Sequence, residues 1–122
     1  MELEGRTAAD VMLADPKTLP GNATVADVRA QLENVRVQVV LLADGQAFRG
    51  AVTSIPGEAD PDAPALAYSE ADPEMVRPND TAALAFERSN ASPYRRAVVL
   101  DEAGDLLGLV CLNSRRDGFC GS

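Results

Sequence analysis

The chain has 122 residues, enough for one compact domain or a pair of small ones, and its 46% of apolar residues excludes a disordered chain. A net charge of −8 argues against non-specific binding to nucleic acid or to an anionic membrane, and no apolar stretch approaches the length of a membrane span. There is no His and there are only two Cys, so the commonest general base is missing, a metal site within one chain is not expected, and neither is a disulfide framework.

In chain order, residues 1–6 read as a ragged end without the basic-then-apolar pattern of a signal peptide, so a cytoplasmic protein is expected. Thr7 is placed to cap a short helix over Ala8 to Leu13, with Asp10 in its first turn. Asp15-Pro16 ends it, Thr18-Leu19 is a short extended piece, and Pro20-Gly21 is a turn. Thr24 caps a second helix that carries Val25, Val28 and Leu32 on one face, with Val35 extending it. Val37 to Ala43 and Ala47 to Thr53 read as strands joined at Asp44-Gly45. The connector Ile55 to Pro64 is rich in proline and acid and cannot form a long helix. A helical turn over Ala65 to Ser69 follows, then Met75-Val76, a turn at Pro78-Asn79, and a helix capped by Thr81 with Leu84 and Ala85 in its pattern and Phe86 at its edge. Ala97 to Leu100 and Leu106 to Leu112 form a second hairpin, and NSRRDGFCGS reads as a tail. Gly108 falls inside the last strand, where close packing would exclude a side chain.

The two hairpins belong to a repeat. Asp44 matches Asp101, an offset of 101 − 44 = 57, and the same offset relates Asp15-Pro16 to Asp72-Pro73, Thr24 to Thr81 and Ala8 to Ala65. Gly50 matches Gly108 at 108 − 50 = 58, so the second hairpin loop has one extra residue. The chain is two copies of one unit, 1–60 and 61–122 with a short C-terminal tail. A unit of this size is marginal alone, so the copies are expected to share a core.

Each copy reads short helix, short strand, helix, strand, strand. The D-V-M opening at Asp10 to Met12, the Asp-Pro step, the Thr-Val helix start and the hairpin ending in Gly50-Ala-Val-Thr53 together resemble a cystathionine β-synthase (CBS) domain, and the tandem resembles a Bateman module. The resemblance implies an α/β (α+β) fold, with two CBS-type β-α-β-β-α repeats packed as a pseudo-twofold pair, and a homodimer built on the helices that start at Thr24 and Thr81. It also implies adenosine ligands such as AMP, ATP or S-adenosylmethionine in clefts between the repeats. There a Thr or Ser after the last strand contacts phosphate and an Asp three residues later holds the ribose.

Thr53, followed by Ser54, matches the first of those positions, but the ribose Asp is replaced by Pro56; in the second repeat the two positions hold Cys111 and Ser114. A Pro offers none of the charge-assisted bonds that a carboxylate gives to a pair of hydroxyls. Tyr94, Arg95 and Arg96, with Arg115 and Arg116, form the dense basic clusters of an acidic chain. They would lie at the entry of one strand and past the exit of its neighbour, suited to phosphate or carboxylate, with Tyr94 able to stack on a base. The same residues also read as solvated charges balancing nearby acids, and Thr53-Ser54 as ordinary turn chemistry. Cys111 is expected to be a buried apolar residue in a strand, and Cys120 a reactive thiol in the tail or a metal ligand shared with a partner.

No nucleophile-base pair, phosphate loop or dinucleotide fingerprint is present, so an enzyme is not expected. The leading expectation is a stand-alone regulatory or sensing module. It would bind an adenosine nucleotide or another small anion and act as a homodimer, with an unidentified partner protein and no nucleic-acid or membrane partner. The alternative is a structural dimerisation module whose ligand clefts are degenerate and empty.

Overall fold

The computed structural model describes residues 3–120; of the expected ragged end and tail, positions 1–2 and 121–122 lie outside the described residues. The elements are α1 (Ala8–Val11), β1 (Leu13–Ala14), β2 (Thr18–Leu19), α2 (Val25–Leu32), β3 (Val40–Asp44), β4 (Ala47–Val52), a 3-10 turn (Ala65–Tyr68), β5 (Met75–Val76), α3 (Ala82–Ala91), β6 (Arg96–Leu100) and β7 (Leu106–Cys111). This is the mixed α and β composition that the repeat implies.

Two compact units result, and they are not the two sequence repeats. One is Lys17–Asp72; the other holds the described residues of 1–16 and 73–122. The chain passes between them at Pro16-Lys17 and again at Asp72-Pro73, the two related Asp-Pro steps. Each repeat therefore gives its first helical turn to the unit built around the other repeat's hairpin. The buried apolar residues form two clusters, and each joins residues of both repeats, Ala8 with the second repeat and Ala65 with the first.

In the three-stranded unit the sheet order is β2-β3-β4, with β2 parallel and β4 antiparallel to β3. Thr24 caps α2: its hydroxyl accepts the Asp27 amide at 3.3 Å, and its own amide donates to the Asp27 carboxylate at 3.0 Å. Val25 and Val28 are fully buried and Leu32 packs against the same core, but α2 ends at Leu32 and leaves Val35 exposed instead of extending the face. The 3-10 turn completes that core. Ala65 is fully buried, and its amide donates to the Ala23 carbonyl at 2.9 Å.

In the four-stranded unit the order is β1-β7-β6-β5. Here α1 is the element contributed by the first repeat. Ala8 is fully buried in the core with Val76, Ala85 and Val110, and the Ala8 and Ala9 amides donate to the carbonyls of Asp80 at 2.8 Å and Pro78 at 3.0 Å. Of the described residues before Thr7, Arg6 and Leu3 are tied down: the Arg6 carbonyl accepts the Ala82 amide at 2.8 Å, and Leu3 packs on the core.

Both hairpins turn through a glycine with positive φ, Gly45 at 62° and Gly104 at 88°. Both also carry a register shift at related positions, between Leu42 and Ala43 and between Val99 and Leu100. Gly108 and Gly50 mark where the contributed turn meets each hairpin. A Cβ on Gly108 would come within 2.8 Å of the Leu13 carbonyl oxygen and would also strike Met12. On Gly50 it would meet the Leu66 and Ser69 side chains at 3.0 Å. Backbone cannot yield as a leucine side chain can. Gly108→Ala is therefore expected to cost about 1–3 kcal/mol and Gly50→Ala less, measured by urea unfolding. Equal effects would contradict this packing.

Hydrogen bonds from Thr7, first its amide at 2.8 Å and then its hydroxyl at 3.1 Å, hold the Asp10 carboxyl below its ordinary value of 3.8, and Arg6 adds to the effect. A lowered value in the folded state means stabilisation that is present above the ordinary carboxylate range and lost as pH falls through the folded-state value. Asp10→Asn should therefore make stability less sensitive to acid in that range. An unchanged acid limb in thermal melts would contradict the cap.

Candidate functional site

The candidate residues divide between the two units. Thr53 and Ser54 follow β4 in the three-stranded unit. Tyr94, Arg95, Arg96, Ser114, Arg115 and Arg116 belong to the four-stranded unit.

The Thr53 hydroxyl donates to the Glu70 carboxylate. Glu70 is held beside the strand end by its own amide, which donates to the Ala51 carbonyl at 2.7 Å. An anion approaching Thr53 would therefore meet a negative charge. The sequence carries no signal for Glu70: its counterpart in the first repeat is Leu13, at 70 − 57 = 13. Ser54 is exposed. Pro56, where the ribose carboxylate would stand, offers its carbonyl to Arg29 at 2.7 Å.

The basic residues gather where β6 begins and β7 ends. Arg96 lies opposite Cys111 in the antiparallel register. Its guanidinium is half-buried and donates to the carbonyls of Tyr94 at 2.9 Å and Arg95 at 3.3 Å. Burial, and then the Arg95 charge, push the Arg96 guanidinium below its usual range. Arg95 has a positive φ of 60°, and its Nε donates to the Leu112 carbonyl at 3.3 Å. Tyr94 is half-buried at the turn into β6, its amide donating to the Ser92 hydroxyl at 3.1 Å. Ser114 and Arg115 are exposed.

Arg116 has a structural task. Its guanidinium donates to the Asn90 carbonyl at 2.7 Å, the Asn90 side-chain oxygen at 3.0 Å and the Ser92 carbonyl at 3.3 Å, so it satisfies the C-terminal end of α3. A cation at that end also opposes the helix dipole. Among the described residues none of the four arginines pairs with a carboxylate; the ion pairs are Arg49–Asp44 and Arg88–Glu74. Arg95 and Arg96 keep guanidinium N–H groups beyond those bonded to carbonyls, and Arg115 keeps all of its own.

The segment after β7 differs from the expected free tail. It turns back on the strand: Leu112 pairs with Phe119, the Cys120 amide donates to the Cys111 carbonyl at 2.7 Å, and Cys111 and Cys120 form a disulfide with a Cα–Cα distance of 5.3 Å. Cys120 is therefore not the free thiol that its position suggests. Phe119 enters the core, 6% exposed, with its ring edge-on to Phe86 at 6.2 Å between centroids. The buried position expected of Cys111 holds, at 5% exposed. No group of three or more cysteine and acidic side chains is placed to hold a metal ion among the described residues. No helix among them is long and apolar enough to cross a membrane.

The family model of the CBS domain matches residues 8–54. No curated protein sequence matches. Among solved structures, the chain is similar to the cystathionine beta-synthase pair domain of a candidate Mg2+ transporter from Shewanella oneidensis. The TM-score is 0.76 and the identity 19%, over 88% of this chain and 66% of that one, just under two thirds of its length. It is also similar to the CBS-pair protein CBSX2 of Arabidopsis thaliana, with a TM-score of 0.72 and 18% identity over 88% and 89% of the two chains. A third match is the CBS domain of a bacterial CNNM/CorC family Mg2+ transporter in complex with ATP, with a TM-score of 0.71 and 20% identity over 90% and 84%.

Proposed function

We infer that this chain, which carries a CBS domain module and has the fold of a CBS pair, is a non-catalytic regulatory module that senses a small polyanionic ligand. The observation that carries the reading is Arg96: a half-buried guanidinium beside Arg95, with no carboxylate partner among the described residues. A cation held out of water without a counter-charge favours an anion that brings one. Arg95 and Arg115 supply further donors, and Tyr94 a ring at the same strand entry. The ATP complex of the transporter domain supports phosphate as the anion class. Pro56 and Ser114 argue against strong ribose recognition, so phosphate charge outweighs nucleoside identity in this proposal.

A thermal-shift screen with AMP, ATP and inorganic triphosphate tests it. Triphosphate and ATP should raise the melting temperature, AMP less so, and Arg96→Gln should weaken the rise. No shift with any polyanion would remove the sensing role.

The second reading, a structural module with empty clefts, is favoured by Thr53, whose hydroxyl is taken by Glu70, and by Arg116, which is taken by α3. Homodimer formation and a partner protein belong to the proposal in either reading, as does a cytoplasmic location. The residues on which the homodimer expectation rests pack into their own units: Val25, Val28 and Ala85 are fully buried, while Leu32, Leu84 and Phe86 lie against the same cores.

A further inference from the structure

The disulfide joins two halves of the basic cluster. Arg96 stands opposite Cys111 in register, and Leu112 exchanges backbone and side-chain bonds with Arg95. Arg115 and Arg116 lie in the loop between Cys111 and Cys120, nine positions apart. Beyond the disulfide, this return is held by the Phe119 ring, the amides of Cys120 and Asn113, and the Arg116 bonds to α3. Cys120 is half-buried, whereas Cys111 is buried.

We propose that the Cys111–Cys120 disulfide is a redox latch: oxidised, it holds segment 113–120, which carries Arg115, against the end of β7; reduced, it lets that segment detach far more often. The consequence for anion affinity rests on the function proposed above, but detachment of the segment does not.

The chemistry needs a dithiol reductant, a protein dithiol or dithiothreitol. One of its thiolates attacks the more accessible Cys120 sulfur, the S–S bond breaks, and Cys111 leaves with the electron pair and takes a proton. The second thiol then displaces Cys120 from the mixed disulfide. Two electrons and two protons pass to the protein, and the reductant ends as a disulfide. In a reducing compartment a bond of this kind is typically transient and sensing. Closing a loop this short favours the docked state by roughly a hundredfold in the chain-entropy picture.

The test compares oxidised protein, protein reduced with dithiothreitol, and Cys120→Ser by hydrogen exchange, trypsin cleavage and titration with inorganic triphosphate. In the reduced protein and the variant, protection of the Asn113 amide should fall by about tenfold or more. Trypsin should cut faster after Arg115, while amides of β6 and β7 stay protected. Triphosphate affinity should fall by about tenfold with the loss of a charge-assisted contact. Unchanged protection on reduction overturns the latch, as do two free thiols in the air-oxidised protein. Loss of protection throughout the unit also overturns it, because the bond would then be a general staple. If the segment detaches and triphosphate binds neither form, the latch stands and the anion reading fails. If triphosphate binds both forms equally while the segment stays docked, the latch fails and the anion reading stands.

Discussion

A fragment spanning residues 17–72 is expected to unfold cooperatively in urea, and one spanning 1–60 is not. The two are nearly the same length, and both contain α2 and the β3–β4 hairpin. Only the first contains the 3-10 turn that closes the core. Ala65 fills a fully buried place there, the Val25 amide donates to the Ala63 carbonyl at 2.9 Å, and the Glu70 amide donates to the Ala51 carbonyl at 2.7 Å. Fragment 1–60 has α1 instead, whose partners Pro78 and Asp80 it lacks. A chain of this size is close to the limit for independent folding, so one missing core element decides the outcome. Circular dichroism across a urea titration at low temperature reads the difference. A cooperative transition for 1–60 matching that of 17–72 would mean that the packing units are the sequence repeats after all.

Phe119→Ala is expected to destabilise the four-stranded unit by about 3–5 kcal/mol, the range for removing a buried aromatic ring. The ring is buried against Phe86, and Ala8, Val110 and Leu112 belong to the same cluster, so its removal leaves a cavity that the disulfide-closed return cannot easily collapse into. Phe119→Leu should cost far less, because volume and apolarity are largely kept. Oxidised protein of each variant, compared by denaturant midpoint, gives the answer. A cost below about 0.5 kcal/mol for the alanine variant is the size of an ordinary surface change and would place Phe119 outside the core.

The repeat was legible because it is written in residues with local meaning. Asp-Pro steps break the chain where it passes from one unit to the other, Thr24 and Thr81 cap helices, and Asp44-Gly45 closes a hairpin, each by chemistry within a few residues. What local chemistry does not encode is partnership. Ala8 and Ala65 show the same small apolar residue at the start of each repeat, but nothing in either window says that it packs against the other repeat's hairpin. Gly108 carried half of that message: its place inside a strand announced a close approach, though not that Met12 and Leu13 make it. Phe119 and Cys120 read as a tail for the same reason. Gly and Asp before them signal a turn, and a turn at the end of a strand reads as a tail unless the partner of Cys120 is known. The basic residues stand out by charge density alone, but their division of labour depends on contacts. Arg116 serves the end of α3, whereas Arg115 faces water. Glu70 was not legible, because a lone acid after a helical turn in an acidic chain has no distinguishing neighbour.

Titration calorimetry of the oxidised protein with AMP, ATP and inorganic triphosphate, each at low and high salt, tests the proposed function most directly. A site made of guanidinium groups at a strand entry, without a ribose carboxylate, should bind ATP and triphosphate with similar affinity and AMP more weakly. Binding should weaken as salt rises, because the attraction is between charges that remain partly in water. The missing carboxylate alone removes about 1.5–3 kcal/mol, one to two decades of affinity for the nucleoside. Tight binding of AMP that is indifferent to salt would contradict the account, since it would require ribose and base recognition by groups other than Arg95, Arg96 and Arg115.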